Sequence, residues 1–175
     1  MHVPKRLIEV GGADRPVLPM GLTDYVGIDP LYGSLPRYAT EVERQASEWN
    51  VKAQLFARTV ETVAIDEVGK SPIVIMRNVL GNKLTGHIDV VRAALGFVAE
   101  GGQLIIIEDI TAAQAKLSEV EAAMEAEGRW AAIYGAAQPT FINTAHDLGL
   151  DAPQLAHKML KVSPHANPLE HTVVR

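Results

Sequence analysis

Two acidic residues and two glycines near the start of the chain have the types and the spacing of a nucleoside-binding site. Glu9 is followed by Gly11 and Gly12, and Asp29 comes 20 positions after Glu9. Glycines let a backbone turn tightly and approach a ligand, and a carboxylate at this distance can accept hydrogen bonds from both hydroxyls of a ribose. The alternatives are a plain tight turn at the glycines and an aspartate that caps a turn before Pro30.

Two predicted strands must position these residues. Segments 6–10 and 24–29 have strand character, and a glycine-containing break separates them. In an open parallel sheet, ligands bind beyond the carboxyl ends of the strands, at the point where the strand order reverses. The glycines after the first strand and Asp29 at the end of the second are therefore expected to meet at that edge. Pro16 and Pro19 disfavour a long helix between the two strands, so we expect a loop there.

The rest of the chain alternates between helical and strand patterns. Such alternation predicts an α/β fold, a doubly wound and mostly parallel seven-stranded sheet that closes with a C-terminal antiparallel hairpin. We expect one domain over residues 1–175 and a broken helical region over 130–150, in which Pro139 begins a helix. The further predicted helices cover 38–49, 87–99 and 111 to about 127, and the further strands cover 51–57, 73–76, 103–107, 154–162 and 171–175.

Composition excludes several classes of function. The chain has 175 residues, no cysteine and a formal net charge of −5. Without cysteine there are no disulfides, thiolate nucleophiles or Cys-ligated metals, and a cytoplasmic location is expected. The acidic balance disfavours nucleic acid as a partner, since proteins that bind it usually display a clustered basic face. No apolar stretch approaches the roughly 20 residues needed to cross a bilayer, so we expect no membrane insertion.

Several segments resemble, in their order and spacing, the motifs of the class I S-adenosylmethionine-dependent methyltransferases. In this chain, LIEVGGADRP resembles the family's first motif and YVGIDP its second. The segments SPIVIMRNVLGN and HIDVVRAALGFVAEGGQLIIIEDI resemble the stretch from the family's fourth strand through a glycine turn to its fifth strand. The last part, LGL through LAHKML to HTVVR, resembles the reversed strands with which that fold closes. The resemblance covers nearly the whole chain, and it implies S-adenosylmethionine as the cofactor.

The resemblance also assigns roles to individual residues. It implies that Glu9, Gly11 and Gly12 surround the methionine part of the cofactor and that Asp29 holds the ribose. Asn78, just past the fourth strand, would lie where the cofactor meets the substrate.

The chain departs from the family pattern at two places. Ala13 stands where the first motif usually has another glycine, so the loop there is expected to follow a different path. Arg58 and Thr59 stand where the family commonly has an acid near the adenine, which leaves Glu61 as the nearest candidate for that contact.

Methyl transfer requires an aligned nucleophile more than a strong acid or base, so much of the catalysis can come from proximity and orientation. A hydroxyl or amine acceptor would nevertheless benefit from a general base, and His87 is the histidine best placed for it by sequence order. His87 and Asn78 are therefore the catalytic candidates. The alternative for His87 is the first position of the helix that follows. Glu108 and Asp109 either face the site or cap the next helix.

The leading interpretation is a methyltransferase that acts on a small-molecule acceptor, with no metal and with a homodimer as a further expectation. The alternative is a catalytically degenerate domain that binds S-adenosylmethionine or a related nucleoside and acts through a protein partner. A nicotinamide-dependent reductase is disfavoured, because the first loop lacks the Gly-x-Gly-x-x-Gly pattern.

Overall fold

The computed structural model describes residues 5–82, 86–136, 138–150 and 157–164. These residues form a central sheet with helices on both sides. The strands are β1 (Arg6–Val10), β2 (Asp24–Ile28), β3 (Lys52–Phe56), β4 (Ser71–Arg77), β5 (Val98–Asp109), β6 (Trp130–Gly135) and β7 (His157–Ser163). The helices are α1 (Leu31–Ser34), α2 (Pro36–Glu48), α3 (Ile65–Val68), α4 (His87–Gly96), α5 (Ile110–Ala126) and α6 (Pro139–Asp147), with single 3₁₀ turns at Val60–Thr62 and Leu80–Asn82.

The seven strands lie in the order β3-β2-β1-β4-β5-β7-β6. The pairs β1–β2, β2–β3, β1–β4 and β4–β5 are parallel, whereas β7 pairs in antiparallel fashion with β5 and with β6. The predicted doubly wound, mostly parallel sheet with an antiparallel closure is therefore confirmed. The strand order reverses between β1 and β4, which makes the carboxyl ends of these two strands the natural place for a ligand.

Alternate residues of the strands pack on opposite faces of the sheet, as the period of two requires. On one face Ile8 and Met76 pack with the apolar sides of α4 and α5. On the other face Leu7 and Ile75 pack with residues of α2 and α6. The central strands are apolar on both faces because helices cover both faces. Within the described part of the chain, each helix is too short or too polar to cross a membrane.

The C-terminal third differs from the sequence-based prediction in one strand. Segment Trp130–Gly135, predicted as part of a broken helical region, is strand β6 and pairs with β7 from Trp130 opposite Ser163 to Gly135 opposite Lys158. β7 has β5 and β6 as its neighbours, and the antiparallel pair at this edge of the sheet consists of β6 and β7. The predicted strand 171–175 lies outside the described residues. Helix α6 does begin at Pro139, as predicted.

The helix predicted over 87–99 ends earlier than expected. α4 stops at Gly96, and Val98 already belongs to β5, opposite Ser71 of β4. The buried Phe97 lies between them, and its carbonyl accepts the backbone N–H of Ser71 over 2.9 Å. The helix therefore ends, and pairing with β4 begins, before the glycines at 101 and 102.

Candidate ligand-binding site

A cavity of about 720 Å³ lies at the carboxyl ends of β1, β2 and β4. This volume is in the range of about 300–1,000 Å³ that is common for small-molecule sites. Loops after four strands line it, and each loop contributes residues that the sequence had singled out: Gly11 and Gly12 after β1, Asp29 after β2, Glu61 after β3 and Asn78 after β4. The reversal of strand order and the cavity therefore coincide.

Gly11 is required by close packing as well as by the turn. Its φ is +80°, and a Cβ at this position would lie 2.4 Å from Cγ2 of Val79 and 2.7 Å from the carbonyl oxygen of Arg77. At Gly12 a Cβ would lie 2.9 Å from the hydroxyl of Tyr25. Both glycines thus let the loop after β1 pass against its neighbours, and the backbone of this loop forms one wall of the cavity.

Asp29 lines the cavity and also holds the backbone of two loops that surround it. The side chain is 4% exposed. Oδ2 accepts the N–H of Ala13 over 3.0 Å, and Oδ1 accepts the N–H of Leu31 over 2.8 Å. Each carboxylate oxygen can accept more than one hydrogen bond, so these contacts leave acceptor capacity for a ligand. Asp29 therefore fits both interpretations of the sequence: it caps a turn, and it lines the cavity.

The predicted loop between β1 and β2 is present, and side chains from elsewhere satisfy its backbone. The carbonyl oxygen of Gly12 accepts Nη2 of Arg77 over 3.2 Å, and that of Asp14 accepts Nε2 of Gln45 in α2 over 3.1 Å. A helix would satisfy such groups by itself, whereas a loop needs outside partners. The chain therefore replaces local hydrogen bonds with contacts to β4 and α2.

Glu9 is placed behind this loop and outside the cavity lining. Its side chain is fully buried, and Oε2 accepts the N–H of Val17 over 2.8 Å and the hydroxyl of Tyr25 over 2.9 Å. Oε1 lies 3.0 Å from Nη2 of Arg77, an ion pair without the angle of a hydrogen bond. Burial raises the pKa of Glu9, and the positive charge of Arg77 opposes that rise. The structure thus gives Glu9 contacts that hold the loop, and the ligand contact that the resemblance implied stays a prediction.

Ala13 has a left-handed backbone conformation. Its φ is +48°, in the left-handed region that alanine rarely adopts. The loop thus has a left-handed residue at this position, and the hydrogen bond from its N–H to Asp29 helps to hold it. The different path expected here stays a prediction.

Arg58 is turned away from the cavity. Its Nη2 lies 2.6 Å from Oε2 of Glu67, and its guanidinium lies over the ring of Phe56, 5.4 Å from the centroid. The following residues Thr59 and Glu61 line the cavity. Glu61 is therefore brought to the edge where the resemblance implied a contact with the adenine.

Asn78 and the loop after β4 form another part of the cavity lining. Asn78 lines the cavity with a φ of +54°, and its N–H donates to the carbonyl of Ile107 over 3.0 Å. The next three backbone N–H groups, at positions 79, 80 and 81, donate to the carboxylate of Glu108 over 2.7, 2.7 and 3.2 Å. Glu108 is buried, which raises its pKa, although these hydrogen bonds and Lys116 oppose the shift. Glu108 thus holds a loop that lines the cavity. The two alternatives taken from the sequence were that it faces the site or caps the next helix, and this role is a third one.

His87 lies away from the cavity. It is the first residue of α4, and its Nε2 lies 2.8 Å from Oε2 of Glu119 in α5. The helix-start alternative therefore describes its position, and the structure does not bring it together with Asn78 in the lining. Across the described ranges, no group of three or more histidine or acidic side chains is placed to hold a metal ion.

Arg77 is a cavity residue that the sequence analysis missed. It lines the cavity at the end of β4, after the buried residues Val74, Ile75 and Met76. The sequence did contain an indication of this role: Arg77 is a charged residue at the end of a wholly apolar strand, and such a charge needs a partner at the edge of the sheet.

Comparison with known proteins shows likeness in structure rather than in sequence. No family model and no curated protein matches the chain. An rRNA methylase from Streptococcus thermophilus has a TM-score of 0.63 and 13% identity over 91% of this chain and 86% of that one. The N-methyltransferase NodS from Bradyrhizobium japonicum has a TM-score of 0.62 and 12% identity over 94% and 88% of the two chains.

A third similar structure is a methyltransferase from Geobacter sulfurreducens, described as S-adenosylmethionine-dependent and in complex with S-adenosyl-L-homocysteine. It has a TM-score of 0.55 and 11% identity over 91% of this chain and 84% of that one. The similarity in each case extends over most of both chains, so it concerns the whole sheet and its helices. The chain therefore has the Rossmann-like fold of the class I S-adenosylmethionine-dependent methyltransferases.

Proposed function

We propose that the protein is an S-adenosylmethionine-dependent methyltransferase that acts on a small-molecule acceptor. The observation that carries this proposal is the cavity at the strand-order reversal, which is lined by the glycine turn at Gly11 and by Asp29. Two of the similar structures, NodS and the Geobacter protein, are described with S-adenosyl-L-homocysteine bound, and this product of methyl transfer supports the choice of cofactor.

The residues of the cavity fit such a cofactor in chemistry. Asp29 offers carboxylate oxygens to the hydroxyls of a ribose, and the Gly11 and Gly12 backbone leaves room for the methionine part. Glu61 would lie near the adenine, and Asn78 near the point where the acceptor enters. When bound, the cofactor supplies an electrophilic methyl group. The chain itself binds and orients the two reactants, which is the main requirement of this reaction.

The chemistry of the cavity favours an acceptor that is already nucleophilic or easily deprotonated. Among the described residues that line the cavity there is no histidine, and His87 is directed to Glu119. The net charge of −5 supports a small molecule over a nucleic acid. The absence of cysteine supports a cytoplasmic location. We further propose that residues 1–175 act as one domain and that two copies associate, which light scattering on the purified protein tests.

A binding protein without transferase activity is the second candidate. The position of His87 outside the cavity favours it, because the histidine best placed by sequence order is not available there as a base. Such a domain would bind the cofactor and act through a protein partner.

Calorimetric titration with S-adenosylmethionine, S-adenosylhomocysteine and NAD tests the cofactor. We expect binding of the first two compounds and none of NAD; binding of NAD alone would overturn the proposal. Release of S-adenosylhomocysteine during incubation with pooled small-molecule extracts then separates the candidates. A binding protein would hold the cofactor and release no product in any fraction.

A further inference from the structure

A buried pair, Glu9 and Arg77, lies directly behind the cavity loop. We propose that Arg77 is a positioning residue: held by Glu9, it fastens segment 12–15 and so fixes the wall on which the cofactor rests. The inference rests on the proposed function for the identity of the ligand, but its effect on the loop can be measured in the free protein.

The contacts of Arg77 converge on this segment. Nη2 donates to the carbonyl oxygen of Gly12 over 3.2 Å and to that of Arg15. The same nitrogen lies 3.0 Å from Oε1 of Glu9. One guanidinium nitrogen thus joins the end of β4, the interior of β1 and both ends of the segment. Charged donors make stronger hydrogen bonds than neutral ones, which suits a contact that must hold a loop.

Glu9 fixes the guanidinium in this place. Its carboxylate is fully buried, and the second oxygen is occupied by the N–H of Val17 and the hydroxyl of Tyr25. The carboxylate therefore cannot turn toward water, and Oε1 stays directed at Arg77. Val17 lies just beyond the segment, so Glu9 holds the far end of the loop directly and the near end through Arg77.

The segment needs this outside support because it has little of its own. Within it, the N–H of Arg15 donates to the carbonyl of Gly12 over 3.1 Å, which closes a single turn. Gly11 and Ala13 both have positive φ, a combination that leaves the backbone without a regular helix. Gln45 supports the carbonyl of Asp14 between the two carbonyls that Arg77 holds. Loss of Arg77 would therefore leave the carbonyls of Gly12 and Arg15, at the two ends of the segment, without this donor.

We call Glu9 and Arg77 together the clamp. Hydrogen–deuterium exchange on the free protein tests whether they hold segment 12–15. We expect Arg77→Met to raise the exchange rate of the amides in 12–17 by about tenfold or more, since their opening free energy falls by the equivalent of a charged hydrogen bond. Arg77→Lys, which keeps the charge but lacks the fork, should give a smaller rise. Arg92→Met removes an arginine paired on the surface with Asp89 and Glu127 and should leave the segment unchanged.

The double variant Glu9→Gln with Arg77→Met separates positioning from charge pairing. Removing both charges should recover part of the melting temperature that Arg77→Met loses, because no buried carboxylate is left unpaired. It should not recover the slow exchange of 12–17. If the double variant restored slow exchange, or if neither Arg77 variant changed it, the clamp would be refuted. Affinity for S-adenosylmethionine should fall in the order of the exchange rates; a wild type that binds no cofactor would instead refute the proposed function and leave the exchange result standing.

Discussion

The backbone N–H of Ala13 donates to Oδ2 of Asp29 over 3.0 Å. This hydrogen bond joins the glycine turn after β1 to the acid after β2, which the sequence relates only by their spacing. The two parts are therefore one structural unit, and a change at either end is expected to act on the other.

Replacement of Asp29 by alanine should weaken binding of S-adenosylmethionine by about 1.5–3 kcal/mol, the usual effect of losing a charged hydrogen-bonding partner. Calorimetric titration measures the loss. Asp24→Ala, at the opposite end of the same strand, is the matched control and should leave affinity unchanged. Equal affinities for the two variants would remove Asp29 from the site.

Replacement of Gly11 by alanine should destabilise the fold by more than the roughly 1–3 kcal/mol of a left-handed alanine alone. The added Cβ would meet the carbonyl oxygen of Arg77 at 2.7 Å, and backbone atoms cannot turn aside. Gly128 also has a positive φ, +74°, but no atom lies within 4 Å of the position of an added Cβ. Gly128→Ala therefore measures the backbone strain alone, without the close contact. Urea denaturation compares them; equal losses would show that close packing at Gly11 is unimportant.

Replacement of Ala13 by glycine should raise the free energy of unfolding. A left-handed conformation costs an L-residue roughly 1–2 kcal/mol, and the greater freedom of glycine in the unfolded chain offsets about half of this. We expect a gain of up to about 1 kcal/mol. Ala39→Gly, inside α2, should have the opposite sign and cost about 0.5–1 kcal/mol. Destabilisation by both changes would show that Ala13 is unstrained.

The pH dependence of stability should reveal the raised pKa of Glu108. Because burial raises it above the ordinary value of 4.5, the folded protein binds this proton more tightly than the unfolded chain. Its contribution is complete below pH 4.5 and is lost as the pH rises through the folded pKa. The stability of the wild type minus that of Glu108→Gln should therefore fall over this window and then stay level.

Glu127 provides a control of opposite sign. Hydrogen bonds from Arg92 and Arg129 lower its pKa, so its contribution is present above pH 4.5 and is lost as the pH falls below that value. Denaturation of wild type, Glu108→Gln and Glu127→Gln over a pH series checks both slopes. A difference for Glu108→Gln that rises with pH would contradict the raised pKa of its carboxyl.

Replacement of His87 by glutamine should leave methyl transfer within about twofold of wild type, because general bases contribute about 100- to 10,000-fold only when they reach the reacting group. Steady-state assays on the identified acceptor provide the measurement. A loss in that larger range at unchanged cofactor affinity would place His87 at the reaction after all.

Strong local patterns made most of the fold predictable. Val74, Ile75 and Met76 form an apolar run that only a covered central strand explains, and the structure buries all three. β6 was missed because its residues, WAAIYG, carry little β-branching and follow directly on a helical region. Its pairing with β7 depends on a strand that lies far along the chain, which no local pattern records.

The site was predictable where a residue acts through its backbone or lies in the cavity, as with Gly11, Asp29 and Asn78. It was not predictable where side chains act on distant backbone. Glu108 binds three N–H groups that precede it by 27 to 29 positions, and nothing in its own neighbourhood indicates them. For the same reason the sequence could not tell that Glu9 faces the back of the loop.

The support of the cavity loop also determines when in folding the cavity appears. Gly12 and Arg77 are 65 positions apart, and they meet only after β4 has joined β1. Contacts of this separation form slowly because a long stretch of chain must first be closed. Nascent chains that end before β4 therefore lack the contact between Arg77 and the loop after β1, and this wall of the cavity is held only once β4 has paired with β1.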